Sequence, residues 1–142
     1  MNNLLMNGLK NYKDEALLFA RLGLCFMFVV VHGGPKLFGG PAKWLELGSM
    51  LKVLGVTTMP VLLGFIAAVS EFLGGILIGL GLFTRFGAFM IFATLVVGAS
   101  VMLAMKGLFA AAAAIEDALF MIVLMAVGAG KYSLDRKWFE KG

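Results

Sequence analysis

The chain has 142 residues, 61% of them hydrophobic and only 14% charged, with a mean hydropathy of +0.99. Soluble domains are about half apolar and about a quarter charged, and a small fold leaves too much surface in solvent to hide this excess. A soluble enzyme, a disordered tail and a disulfide-stapled secreted domain are therefore excluded, and one integral membrane domain over residues 1–142 is expected. The formal net charge of +4, from 12 Lys+Arg against 8 Asp+Glu, does not point to nucleic acid, because the basic residues lie between apolar runs rather than in one stripe. The single cysteine, Cys25, excludes an internal disulfide and any CxxC exchange chemistry.

Four apolar runs follow in chain order. The first covers residues 16–31, broken only by Arg21, and is expected to extend to 37. The others cover 60–83, with Glu71 inside, 86–105, with no charge, and 108–130, with Glu116 and Asp117 inside. About 20 residues of helix cross a bilayer core, so each run can span. The runs are continuous rather than alternating, which argues against barrel strands. The expected fold is all-α, a membrane-spanning antiparallel four-helix bundle.

The connections differ in length. Thr84-Arg85 reads as a very tight inner turn and Lys106-Gly107 as a short outer one. The first outer loop, 33–59, is long, with Gly and Pro at its ends. Residues 42–54 place Trp44, Leu47, Met50, Leu51 and Leu54 on one side of a short helix, expected to be interfacial or re-entrant at the headgroup level.

An even number of spans puts both termini on one side. That side carries Lys10, Lys13, Arg21, Arg85, Lys131, Arg136, Lys137 and Lys141, against Lys36, Lys43, Lys52 and Lys106 on the other. The positive-inside rule therefore predicts cytoplasmic termini in a multi-pass membrane protein. The run after His32 is not a small-x-small cleavage site, so the first span is read as uncleaved.

Helical spacing selects the inward-facing residues. Ala68, Glu71, Gly75 and Gly79 share one face of the second span, and the Gly75-x-x-x-Gly79 pair predicts close helix packing. Glu71 lies about 16 Å past Pro60, near mid-bilayer, where a bare carboxylate is costly and must be protonated or paired. Arg21, Cys25, Phe28 and His32 share a face of the first span, with Lys36 one turn on. Glu116 falls about 12 Å into the fourth span. Asp117 points about 100° away from it, and Glu116 is chosen as the inward acid. A polar cluster of His32, Lys36, Glu71 and Glu116 is thus expected in the outer half. His32, Glu71 and Glu116 are the candidate catalytic residues, and Arg21 joins Lys36 and these three as candidate ligand contacts, although Arg21 and Arg85 are read first as topology anchors at the cytoplasmic interface. No haem pattern is present, since one His cannot supply bis-His ligation and no CxxCH occurs; no metal site is expected, one built on a single His and carboxylates being the weak alternative.

These residues resemble a known family. Arg21, HGGPKLFGG at 32–40, EFLGGILIGLGLFTR at 71–85 and GAGKYSLD at 128–135 together are similar to the DoxX family of small bacterial four-helix membrane proteins. The family's aromatic-Glu pair in the last span is met here by Ile115-Glu116, with the carboxylate kept and the aromatic absent. The resemblance implies a membrane subunit associated with oxidoreductases, including a thiosulfate:quinone oxidoreductase, or with oxidative or thiol stress. It implies no covalent cofactor and a quinone as the candidate ligand. The expected partners are the lipid bilayer and another membrane or redox subunit, or a second copy. A non-catalytic assembly subunit is the alternative, and a small permeation path ranks below both.

Overall fold

The computed structural model describes residues 12–139. Lys10 and Lys141, counted above, lie outside the described residues. Six helical elements follow in order: α1 at Lys13–Phe38, α2 at Gly40–Ser49, α3 at Pro60–Leu80, α4 at Thr84–Lys106, α5 at Leu108–Val127 and α6 at Leu134–Phe139. Helices α1, α3, α4 and α5 are long and apolar enough to cross a membrane. Large side chains such as Phe19, Phe38 and Phe109 stand exposed on their outer surfaces, as a lipid solvent requires.

The four long helices pack in antiparallel sequence, α1 on α3, α3 on α4 and α4 on α5. Phe28 of α1 meets Ile78, Ala88, Ile91, Met121 and Leu124 in one buried cluster, which closes the bundle between α1 and α5. Lipid offers no hydrophobic drive for this assembly, so close approach of small residues carries it. A Cβ added at Gly75 would lie 2.9 Å from Phe28 Cβ, and one at Gly79 would lie 2.5 Å from Cys25 Sγ. Larger residues at these two positions of α3 would push α1 away.

One segment of α1, Met27–Gly33, is a π-helix. Gly34 N donates to Val29 O, five residues back. The wider turn brings Gly33 so near to α3 that an added Cβ would sit 2.5 Å from Phe72 N. Such π-turns recur at functional sites, and this one carries His32.

The short helix expected in the first outer loop is present as α2, continued by a 3₁₀ turn at Met50–Leu54. It packs antiparallel along the first half of α3: the backbone of Gly48 rests on Pro60 O, and that of Gly64 on Trp44 O. The 3₁₀ turn then reaches α4. The α3–α4 turn differs from the expectation. It is formed by Gly81, Leu82 and Phe83, while Thr84 and Arg85 already belong to the first turn of α4. Gly81 is left-handed at φ 65°, and Leu82 N reaches Leu77 O at 3.0 Å, the Schellman arrangement that ends a helix abruptly.

Candidate functional site

The bundle has two polar ends. At the terminal end, α1 begins and α5 finishes. The far end holds α2 and the α4–α5 turn. Each end gathers charge, but in a different way.

In the half toward the far end, Lys36 of α1 and Glu71 of α3 meet. Lys36 Nζ lies 2.7 Å from Glu71 Oε1 and 2.6 Å from Oε2. The Glu71 side chain is only 5% exposed and that of Lys36 28%. The carboxylate is therefore paired inside the bundle, about 16 Å along α3 from Pro60. Trp44 of α2 donates its indole N–H to Lys36 O at 3.0 Å, and its ring packs edge-on against Phe65 at 4.7 Å. It fixes the joint between α1 and α2 that carries Lys36. The sequence offered Trp44 only as an interfacial aromatic.

His32, one turn before Lys36, packs its ring 5.5 Å from that of Phe28. Its charge acts on Asp117 of α5. Here the geometry differs from the expectation for the last span. Glu116, the acid chosen from the sequence, is exposed on the outer side of α5, whereas Asp117 is half-buried and lies within electrostatic reach of His32. The reason is the rotation of α5. Ala118, Met121 and Leu124 turn inward and carry Asp117 with them, while Leu119, Phe120 and Val123 stand exposed on the same side as Glu116.

Arg21 does not join this group. It lies about 22 Å down α1 from Lys36, at the terminal end, and is only 1% exposed. Its guanidinium donates only to main-chain carbonyls: Nε to Ile78 O at 2.9 Å, Nη2 to Gly79 O at 3.1 Å, and Nη1 to Tyr132 O at 2.9 Å and to Ala129 O. Ile78 and Gly79 end α3, so Arg21 also meets the negative end of that helix dipole. Asp135, whose charge acts on Arg21, seals the same region. Its carboxylate accepts from Phe83 N at 2.6 Å and Thr84 N at 3.0 Å, and its own N–H donates to Gly81 O at 2.8 Å. Arg21 is thus neither a surface anchor nor a neighbour of Glu71. It ties α1 to the end of α3 and to the segment after α5. No sequence spacing could show this, because its acceptors include backbone atoms more than 100 residues away.

Beside these contacts, Lys131 N donates to Asp14 Oδ1 at 2.9 Å, and the Tyr132 hydroxyl donates to Glu15 Oε1 at 3.1 Å. That bond and the nearby carboxylates raise the Tyr132 hydroxyl above the usual tyrosine pKa. Among the described residues, no group of three or more His, Cys, Asp or Glu could hold a metal ion.

The comparisons with known proteins fit this architecture. No solved structure matches the chain. An uncharacterised protein of Haemophilus influenzae is 35% identical over 144 residues, covering 96% of this chain and 100% of that one. The DoxX family model matches residues 16–104. That stretch takes in Arg21, His32, Lys36 and Glu71, while Asp117 and the segment after α5 lie beyond it. With well over half of its length matched, this multi-pass membrane protein belongs to the DoxX family.

Proposed function

We propose that the chain is a subunit of a quinone-linked redox system in the bacterial inner membrane, with cytoplasmic termini. In this reading the far half of the bundle handles protons, and a partner protein or a small sulfur substrate supplies electrons. The observation that carries it is the Lys36–Glu71 contact at 2.6 Å inside an apolar bundle, one turn from His32. Titratable groups are costly in this setting and are by default functional.

The residues fit a quinone. Its carbonyl oxygens accept hydrogen bonds, and Lys36 and His32 are donors. Phe28, Phe38 and Phe72 offer aromatic surface around them, the last two in edge contact at 5.5 Å. Bound there, a quinone would supply the electron acceptor. Lys36 would orient one oxygen, His32 and Asp117 would hold the protons that reduction consumes, and Glu71 would hold Lys36 in place. Electrons enter from outside the chain, which carries no CxxC, haem or iron–sulfur motif.

The test is quinone reduction in membranes carrying Glu71→Gln or Asp117→Asn. Acid–base groups typically contribute at least about 100-fold, so either change is expected to lower the rate at least tenfold, with folded protein retained, while Glu116→Gln leaves it unchanged. Unaltered rates in folded Glu71→Gln and Asp117→Asn protein reject this role.

One observation favours the assembly reading instead. Glu116 is an exposed acid about 12 Å into α5, on a face that otherwise meets lipid. A neighbouring subunit, or a second copy, that covers this face would relieve the cost. Under that reading Glu116→Leu abolishes co-purification of the partner, and isolation as a lone, stable monomer counts against it.

A further inference from the structure

At the terminal end, a groove of 720 Å³ opens between the start of α4 and the segment that follows α5. Its polar lining includes Lys13, Thr84, Arg85 and Lys131, and its apolar lining includes Phe83 and Phe86. The two carboxylates in it are already committed to main-chain N–H groups: Asp14 accepts from Lys131 N, and Asp135 accepts from Phe83 N and Thr84 N. The cations are not so committed. Among the described residues, neither the Arg85 guanidinium nor the Lys13 ammonium has a hydrogen-bond or ion-pair partner. Lys131 Nζ stands over the Tyr132 ring at 5.7 Å.

Two further details point to an anion. Arg85 lies against the main chain of the Gly128–Gly130 turn, and a Cβ built on Gly128 would meet its Nε at 3.6 Å and its Nη2 at 3.7 Å. These are ordinary van der Waals distances, so the guanidinium lies alongside Gly128 at the groove wall. Thr84, fully buried in the lining, has a hydroxyl oxygen with no hydrogen-bond partner. A buried hydroxyl without a partner is costly and calls for one.

The depth selects the kind of anion. The groove lies at the start of α4, a helix long and apolar enough to cross a membrane, so a bilayer around that helix would bring lipid phosphates to this end. Phe83 and Phe86 are exposed and continue from it onto the lipid-facing surface. Basic pockets between spanning helices suit anionic headgroups, and a guanidinium can bind phosphate with two parallel N–H donors. We infer that this groove binds the phosphate of an anionic phospholipid headgroup, with Arg85 and Lys13 on the phosphate oxygens, Thr84 as a further donor, and Phe83 and Phe86 flanking the acyl chains.

The test uses the full chain purified in neutral detergent, with its thermal midpoint followed against added phosphatidylglycerol, phosphatidylcholine or inorganic phosphate. Phosphatidylglycerol is expected to raise the midpoint saturably, and the other two to leave it unchanged. Arg85→Ala should raise the half-saturating phosphatidylglycerol concentration about tenfold, as expected for loss of a charge-assisted contact. Thr84→Val should keep or raise the lipid-free midpoint, because it removes an unpartnered hydroxyl, and should still weaken the lipid response. Lys106→Ala, at the opposite end, should respond like the unaltered chain. Equal stabilisation by phosphatidylcholine, or an Arg85→Ala protein with an unchanged response, overturns the site. So does a Lys106→Ala protein weakened as much as Arg85→Ala, since that marks diffuse charge attraction. Inorganic phosphate alone matching phosphatidylglycerol overturns the lipid assignment in favour of a free phosphate ester.

Discussion

The two polar ends use buried charge in opposite ways. Arg21 is answered entirely by carbonyl oxygens of the main chain. A carbonyl cannot change its protonation, so the Arg21 contacts themselves are fixed by geometry. Lys36 is answered by a carboxylate, and His32 lies within electrostatic reach of another. A carboxylate, unlike a carbonyl, can accept a proton, so the far half is built from groups with acid–base chemistry available to them. The difference separates a device that holds helices together from one able to move protons.

Breaking Arg21 should have the larger effect. Arg21→Ala strands the carbonyls at the end of α3 and after α5, and is expected to cost about 4–5 kcal/mol. Arg21→Lys should recover little, because one ammonium cannot reach the spread of acceptors that a planar guanidinium serves. Denaturant unfolding in detergent measures both. An Arg21→Ala protein as stable as the parent would remove the structural half of the comparison.

The far pair should respond differently to single and double changes. Lys36→Met leaves Glu71 buried and unpaired, and is expected to cost about 3 kcal/mol. The double change Lys36→Met with Glu71→Leu should return to within about 1 kcal/mol of the parent, since apolar replacements of a buried ion pair are often close to neutral. Recovery of stability without recovery of quinone reduction would sharpen the contrast between the two ends. A double variant as unstable as the single one would erase it.

The smallest effect belongs to Tyr132, on the rim of the structural end. Its pKa is raised in the folded protein by the bond to Glu15. The folded state therefore favours the protonated hydroxyl. The resulting stabilisation is fully present below the unfolded pKa of about 10, and is lost as the pH rises through the folded value. Tyr132→Phe should show a slightly lower thermal midpoint near neutrality, and the gap to the parent should close in strong alkali. A gap that persists or widens there assigns the effect to packing rather than to the hydrogen bond.

Much of the architecture was legible in the sequence because bilayer thickness is a strong ruler. Continuous apolar runs of about 20 residues have few other uses. The spacing of Glu71, Gly75 and Gly79 also read directly, since small residues at helical intervals mark a close contact. The rest depended on rotation and on distant partners. Glu116 and Asp117 are neighbours, and choosing between them requires knowing which way α5 turns. A signal was available: Asp117 shares its face with Met121 and Leu124, while Glu116 sits with Phe120 and Val123 beside the lipid. Arg21 gave no such signal. Its place on one helical face with Cys25, Phe28 and His32 was right, but the depth at which a long side chain finds acceptors is not written in its own helix. The π-helical turn at Met27–Gly33 was equally silent, because hydropathy cannot report a change of hydrogen-bond register.

The reach of Arg21 has a consequence for how the chain is made. Two of its acceptors, Ala129 O and Tyr132 O, lie 108 and 111 residues downstream. The other two, Ile78 O and Gly79 O, lie 57 and 58 residues downstream, so during synthesis the first span enters the bilayer before any of these carbonyls has been made. The last span has to be threaded before that account can close. Closure of the bundle is accordingly a terminal event of biogenesis, and a nascent chain stopped short of the segment after α5 remains an open bundle with an unsatisfied cation at its edge.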